Sequence, residues 1–214
     1  PVVYYGDEQG FVGDGDDKDA RENMFVSQVP SYLDNDKIDG TPYGAGPHFD
    51  TAYPLYQHIS ALAELRHSTP ALESGAQIEL HSEAGAGVYA FSRVDRTEKV
   101  EYLVALNNAT TAQEVSLTTL TDDASYAPLY GATEAVSSGS DGGLTLTVPA
   151  LSAVVYKADG TVTDAGDAQA ITVTSAAPVN GLTPITADVA DGRWAETSFA
   201  YRPVGSTSNT ALGT

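Results

Sequence analysis

The 214-residue sequence predicts a mainly β chain: an antiparallel β-sandwich of Greek-key type, preceded by the last strand, loop and helix of a (β/α)8 barrel. Three observations carry this. The chain opens on Pro1-Val2-Val3-Tyr4-Tyr5-Gly6-Asp7-Glu8, an apolar run that breaks at a glycine into two acids. A buried parallel strand looks like this where it delivers polar groups to a barrel rim. One amphipathic helix follows. From residue 76 the pattern switches to period-two alternation in short runs, at roughly the 8–12-residue spacing of a sandwich.

Residues 1–72 are read as the barrel piece. The opening run starts at the first residue, yet a parallel strand needs ladder neighbours on both sides. The expectation is therefore a chain cut from inside a larger enzyme. A long loop follows, and it is acidic: between residues 7 and 50 eleven acids face three bases. Gly40, Pro42, Gly44, Gly46 and Pro47 make its end irregular, as in functional or disordered loops. A helix is expected over 51–72, where Leu55, Ile59, Leu62 and Ala63 fall at i, i+4, i+7 and i+8. Asp50 or Thr51 is expected to cap it, Pro54 suits its first turn, Arg66 and His67 complement the negative end, and Pro70 closes it.

Residues 73–158 are read as the sandwich. Strands are expected over 77–82, 87–94, 100–107, 114–117, 126–129, 133–137, 144–148 and 153–157. The expected core is Val88, Ala90, Tyr102, Val104, Leu106, Leu144, Leu146, Val148 and Val154. Residues 159–168 carry few apolar groups and read as a linker. Three more strands are expected over 171–175, 184–189 and 198–202, too few for an independent sandwich. The segment 169–214 is accordingly expected to be part of a further β domain.

Composition narrows the partners. With 29 acids against 10 bases the net charge is −19, which argues against nucleic acid and against anionic membrane surfaces. No apolar run approaches the ~20 residues that span a bilayer, so no membrane insertion is expected. Cysteine is absent, which excludes disulfides, thiolate zinc sites and a cysteine nucleophile. Oligomeric state is not legible.

Candidate chemistry is sparse. Asp7 and Glu8 are adjacent, and neighbours on an extended chain point to opposite faces. Two carboxyl groups that act together on one bond must instead face each other across it, so a catalytic pair is disfavoured. Asp14, Asp16, Asp17 and Asp19 offer alternating oxygen ligands that suit Ca²⁺ but break the EF-hand pattern. The competing reading is a solvated loop in which Asp19 pairs with Arg21 or caps a turn. His48, His58, His67 and His81 show no metal spacing, so structural roles are expected. Asn108-Ala109-Thr110 is a sequon, which matters only in a glycosylating host. Trp194, with Phe199 and Tyr201, has the flat apolar faces that stack on sugar rings, and a core tryptophan is the alternative.

The opening motif resembles the last barrel strand of the α-amylase family, glycoside hydrolase family 13, whose pattern there is Gly-x-Pro-x-x-Tyr-Tyr-Gly-x-Glu. Asp19-Ala20-Arg21-Glu22-Asn23-Met24-Phe25, Phe49-Asp50-Thr51, Pro54-Leu55-Tyr56 and Ala63-Glu64-Leu65-Arg66 are similar to the loop and final helix of such enzymes. Gly87-Val88-Tyr89-Ala90-Phe91-Ser92-Arg93, Val104-Ala105-Leu106-Asn107-Asn108 and Leu151-Ser152-Ala153-Val154-Val155-Tyr156 are similar to strands of domain C. The resemblance covers about residues 1–158. Residues 194–214 loosely resemble an immunoglobulin-like repeat of multidomain amylases and pullulanases.

The resemblance implies a secreted bacterial enzyme that acts on α-glucan polysaccharide or oligosaccharide with retention. Its aspartate nucleophile, glutamate acid/base and stabilising aspartate would precede Pro1, leaving this chain catalytically silent. Tyr5, Asp7 and Glu8 would line the substrate-site wall. No cofactor is expected within the chain, and the resemblance allows Ca²⁺ in the intact enzyme. The rival expectation is a standalone carbohydrate-binding sandwich in which residues 1–72 form an accessory arm.

Overall fold

The computed structural model describes residues 2–163, 171–189 and 198–213, and the chain divides into two compact units, Pro1–Gly75 and Ala76–Thr214.

In the first unit the opening run departs from expectation. Val2, Val3 and Tyr4 are exposed, Val2 by 91 %, and join no sheet among the described residues. The reason is that a strand is made by its neighbours. Without a ladder to take its N–H and C=O groups, the run stays irregular. The chain then turns through Gly6, at φ 95°, into a single 3-10 turn, Asp7–Gln9. A positive φ of this size is open to glycine at little cost.

The expected 51–72 helix is two helices. After a short turn of helix, α1 (Pro30–Leu33), come α2 (Pro54–Ser68) and α3 (Pro70–Ser74). Pro70 disfavours helical geometry at the residue before it, and Thr69 duly sits at φ −123°, ψ 91° between the two. Tyr53, not Asp50 or Thr51, is the N-cap of α2, with no side-chain cap. Asp50 spends its carboxylate on the Ala52 N–H at 2.8 Å. No residue of α2 is buried, and Leu62 on its apolar face is 37 % exposed.

Buried polar side chains hold the long loop of this unit. Gln9 grips the Asp50 backbone twice, donating to its carbonyl at 3.1 Å and accepting from its N–H at 3.0 Å. Asn35 donates to buried Glu22 at 2.6 Å, and the Tyr43 hydroxyl donates to the Asn23 carbonyl. Gln9, Asn35 and Glu22 thus meet their partners on burial, which ties distant parts of the loop together.

In the second unit eight strands form a sandwich: β1 (Ala76–His81), β2 (Val88–Val94), β3 (Val100–Asn107), β4 (Gln113–Thr118), β5 (Ser125–Tyr130), β6 (Val136–Ser137), β7 (Gly143–Val148) and β8 (Ser152–Thr161). Six lie in one antiparallel sheet, in the order β1-β2-β3-β8-β5-β6, and β4 pairs with β7 to form the second. The core between them contains Val88 and Ala90 of β2, Leu103 and Ala105 of β3, Val115 and Leu117 of β4, Tyr126 of β5, Leu144, Leu146 and Val148 of β7, and Val154 and Tyr156 of β8.

One expectation holds only in part. Tyr102 and Val104 of β3 are buried as expected, but on the face opposite the inter-sheet core; Leu106 on that face is exposed, and Leu103 and Ala105 fill the core between the sheets. The β2–β3 register pairs Ala90 with Ala105 and Ser92 with Leu103, so the inward set on β3 is the odd-numbered one. Leu106 is 41 % exposed, whereas Leu103 is fully buried. A second correction concerns the linker expected over 159–168. Strand β8 runs to Thr161, and Val162 and Thr163 remain hydrogen-bonded to the sandwich.

Beyond residue 170 two antiparallel ribbons are described, β9 (Ile171–Ser175) with β10 (Ile185–Val189), and β11 (Phe199–Tyr201) with β12 (Thr210–Gly213). The last strand was not expected from the sequence. Every residue of β9 is exposed.

Candidate functional site

Residues expected at a substrate wall lie in and beside the 3-10 turn. Asp7 accepts the Tyr4 N–H at 2.8 Å, and Glu8 accepts the Gly6 N–H at 3.0 Å. Both carboxylates thus close the turn on its own backbone. The Tyr4 and Tyr5 rings lie 4.4 Å apart. Tyr5 has its phenol raised from the ordinary value, first by hydrogen bonding with the Tyr4 side chain and then by burial. Asp7 and Glu8 act here as caps, a local role that adjacent acids after a glycine can fill without a ligand.

The acidic loop does not assemble into a metal centre. Among the described residues no three His, Asp or Glu side chains come together to hold an ion. Asp16 accepts the Lys18 N–H at 3.0 Å, and Asp19 lies against Gly15. Arg21 pairs with Asp17, one turn away, and not with Asp19. That contact holds the Asp17 carboxyl below and the Arg21 guanidinium above their ordinary values.

His48 is enclosed by aromatic rings: Tyr43 at 4.1 Å and Phe11 at 5.0 Å, the latter edge-on. Its Nε2 is buried without a hydrogen-bond partner. Burial, and then the positive charge of Lys37, lower its pKa below the ordinary histidine value. Its enclosure thus disfavours the charged imidazolium. His81 meets Glu83 at 3.3 Å on the surface.

The densest polar constellation lies in the sandwich, and sequence reasoning missed it. Glu101 is fully buried on the inward face of β3. Its carboxylate accepts from the Ser92 hydroxyl, the Leu120 N–H at 3.0 and 3.1 Å, the Thr121 hydroxyl at 2.8 Å and the Tyr126 hydroxyl at 2.7 Å. Burial, then the Glu101 charge, raise the Tyr126 phenol far above its ordinary value, which keeps it a donor. At the other end of the strand, buried Asn107 donates to the carbonyls of Thr111, Val148 and Pro149 and accepts the Ala109 N–H at 2.9 Å. The signal was parity: Glu101 and Asn107 share the inward face with Leu103 and Ala105.

A surface cleft of about 290 Å³ lies beside the β2–β3 pair, walled by Tyr89, Leu106, Glu83 and Asn108. Glu83 is its one carboxylate, so the cleft lacks the facing pair that glycosidic hydrolysis needs. Trp194, expected to stack on sugar, lies outside the described residues.

The family model of the α-amylase C-terminal all-β domain matches residues 79–159. An α-amylase of Streptomyces lividans is 47 % identical over 203 residues, which cover 94 % of this chain and 22 % of that protein. The chain thus spans about a fifth of that relative's length. An α-amylase from Anoxybacillus is similar in fold, with a TM-score of 0.52 and 24 % identity over 75 % of this chain and 29 % of that one. CldA, a cyclomaltodextrin glucanotransferase with a three-domain ABC distribution, has a TM-score of 0.50 and 25 % identity over 73 % of this chain and 29 % of its own. Sandwich, family model and sequence identity converge: the chain belongs to the α-amylase family, and residues 79–159 are its C-terminal all-β domain.

Proposed function

We propose that this chain is the non-catalytic, sandwich-bearing part of an α-glucan-active glycoside hydrolase of retaining, α-amylase type. The single observation that carries this is the 47 % identity to a Streptomyces α-amylase along 94 % of the chain. The placement of the side chains supports it. Asp7 and Glu8 are engaged in turn closure, and the buried carboxylates Glu22 and Glu101 are taken up by side-chain and backbone donors. The reacting carboxylates then belong to a barrel encoded ahead of residue 1. The role of this chain is to complete and cover that barrel. Its substrate is starch or a maltodextrin, met by the intact enzyme, which we place outside a bacterial cell on the family relationship.

The test compares the chain alone with the polypeptide extended upstream in its gene, both incubated with soluble starch. The longer polypeptide should release reducing ends and this chain should release none. Cleavage by this chain alone, or an upstream sequence without a barrel, would overturn the proposal. Retention by insoluble starch that is lost in Trp194→Ala would instead favour a carbohydrate-binding module.

A further inference from the structure

The buried Glu101 cluster lies beside the point where the chain leaves the sandwich. Residue Leu120 links the two. Its N–H donates to both Glu101 oxygens at 3.0 and 3.1 Å, and its carbonyl accepts the Thr163 N–H at 2.9 Å. The Thr163 hydroxyl in turn accepts the Asp122 N–H at 2.8 Å. Beside it, the Val162 N–H donates to the Lys99 carbonyl at 2.8 Å, two residues before Glu101. Residues 162 and 163 follow the last residue of β8 and belong to no strand.

The carboxylate fixes residue Leu120 through its N–H, and Leu120 presents its carbonyl, on the following peptide unit, to Thr163. The arrangement thus runs from the buried acid, through the position of Leu120, to the exit segment. The oxygens of Glu101 face donors only: the Ser92, Thr121 and Tyr126 hydroxyls and the Leu120 N–H. Strand packing does not require this. Leu103 and Ala105 show that apolar side chains fill the same face of β3.

We propose that Glu101 is a latch that pins the exit of the chain from the sandwich, so that its charge sets where the sandwich hands over to the segment beyond residue 163. Tyr126 and Thr121 hold the acid, the acid holds Leu120, and Leu120 holds Thr163. Losing the acid releases Thr163 and leaves the β3–β8 ladder in place.

Amide hydrogen exchange on the full chain reads this residue by residue. In Glu101→Gln, where an amide replaces one acceptor oxygen with a donor, exchange at Leu120 and Thr163 should accelerate at least tenfold while the Val154 and Ala105 amides stay within about twofold. Unchanged protection at Leu120 and Thr163 would overturn the latch. So would equal acceleration of the ladder amides, since the acid would then be part of the core. Should Glu101→Gln fail to fold, Thr121→Val retains the charge and removes one donor. It should give a smaller acceleration, several-fold at both amides, and none would overturn the proposal. Thr163→Ala checks direction: the Asp122 amide should exchange faster while Leu120 stays protected, and loss of protection at Leu120 would reverse the proposed order.

Discussion

His48 shows how a single buried side chain ties stability to pH. Its Nε2 has no partner and its ring is packed between Phe11 and Tyr43. Burial and Lys37 lower its pKa, so the unfolded chain takes up the proton near the ordinary 6.5 and the folded chain only at lower pH. The unfolded state then binds more protons as pH falls below about 6.5, and stability is lost in that direction. His48→Phe keeps an aromatic ring in the slot and removes the titration. On going from pH 7 to pH 5, the amide of His48, bonded to the Met24 carbonyl at 2.8 Å, should lose protection in the wild type and hold it in the variant. An identical pH profile for both would show that His48 does not couple. The histidine is visible in the sequence, but its enclosure is not, because Phe11, Tyr43 and Lys37 reach it through loop geometry that follows no periodicity.

At the scale of the element, β3 is the instructive case. Both of its faces are apolar, so hydrophobicity alone points to the larger set, Tyr102, Val104 and Leu106. Pairing with β2 and β8 reverses this. A one-residue shift of parity moves every side chain to the opposite face. Leu103→Ala should accordingly cost about 2–5 kcal/mol, the range for a fully buried leucine, and Leu106→Ala only about 0.5 kcal/mol. Urea midpoints of the two variants decide it, and equal costs would contradict the register. The end of β5 makes a second test. Gly131 sits at φ 70°, and a Cβ there would lie 1.9 Å from the Ala153 carbonyl oxygen of β8. Gly131→Ala should therefore destabilise by more than about 1 kcal/mol and strip protection from the β5–β8 ladder before the β2–β3 ladder. Full retention of the β5–β8 amides would count against that close approach. Strand existence was legible here because period two survives in β2, β4 and β7. The helix over 51–72 divided at Thr69 because a proline terminates one helix and begins the next.

Across the whole molecule, recognition and chemistry separate. Residues 79–159 match the family model, and the buried polar side chains Gln9, Glu22, Glu101 and Asn107 hold loops and strand ends. If the proposed function holds, truncating the intact enzyme after its barrel should lower the temperature at which starch hydrolysis is lost more than it lowers kcat on a short maltodextrin. Thermal inactivation half-lives alongside kcat would show this. A truncated enzyme as heat-resistant as the intact one would remove the covering role proposed for the sandwich. The net charge of −19 belongs to this scale too, since it bears on solubility and partners and not on fold.

The sequence by itself determined the class: a mainly β chain, eight sandwich strands and an α-amylase resemblance seated in motifs such as Tyr4-Tyr5-Gly6 and Val104-Ala105-Leu106-Asn107. Alternation, proline and glycine are local signals, and local signals set where strands lie. Tertiary structure alone decided which face of β3 is the core, that Val2–Tyr4 forms no strand, that Arg21 chooses Asp17, and that Glu101 gathers donors from β2, β5 and the segment after β4. Each of those outcomes depends on groups far apart in the chain being brought within hydrogen-bonding or packing distance. Ladder pairing and burial set those distances, and no spacing along the sequence encodes them.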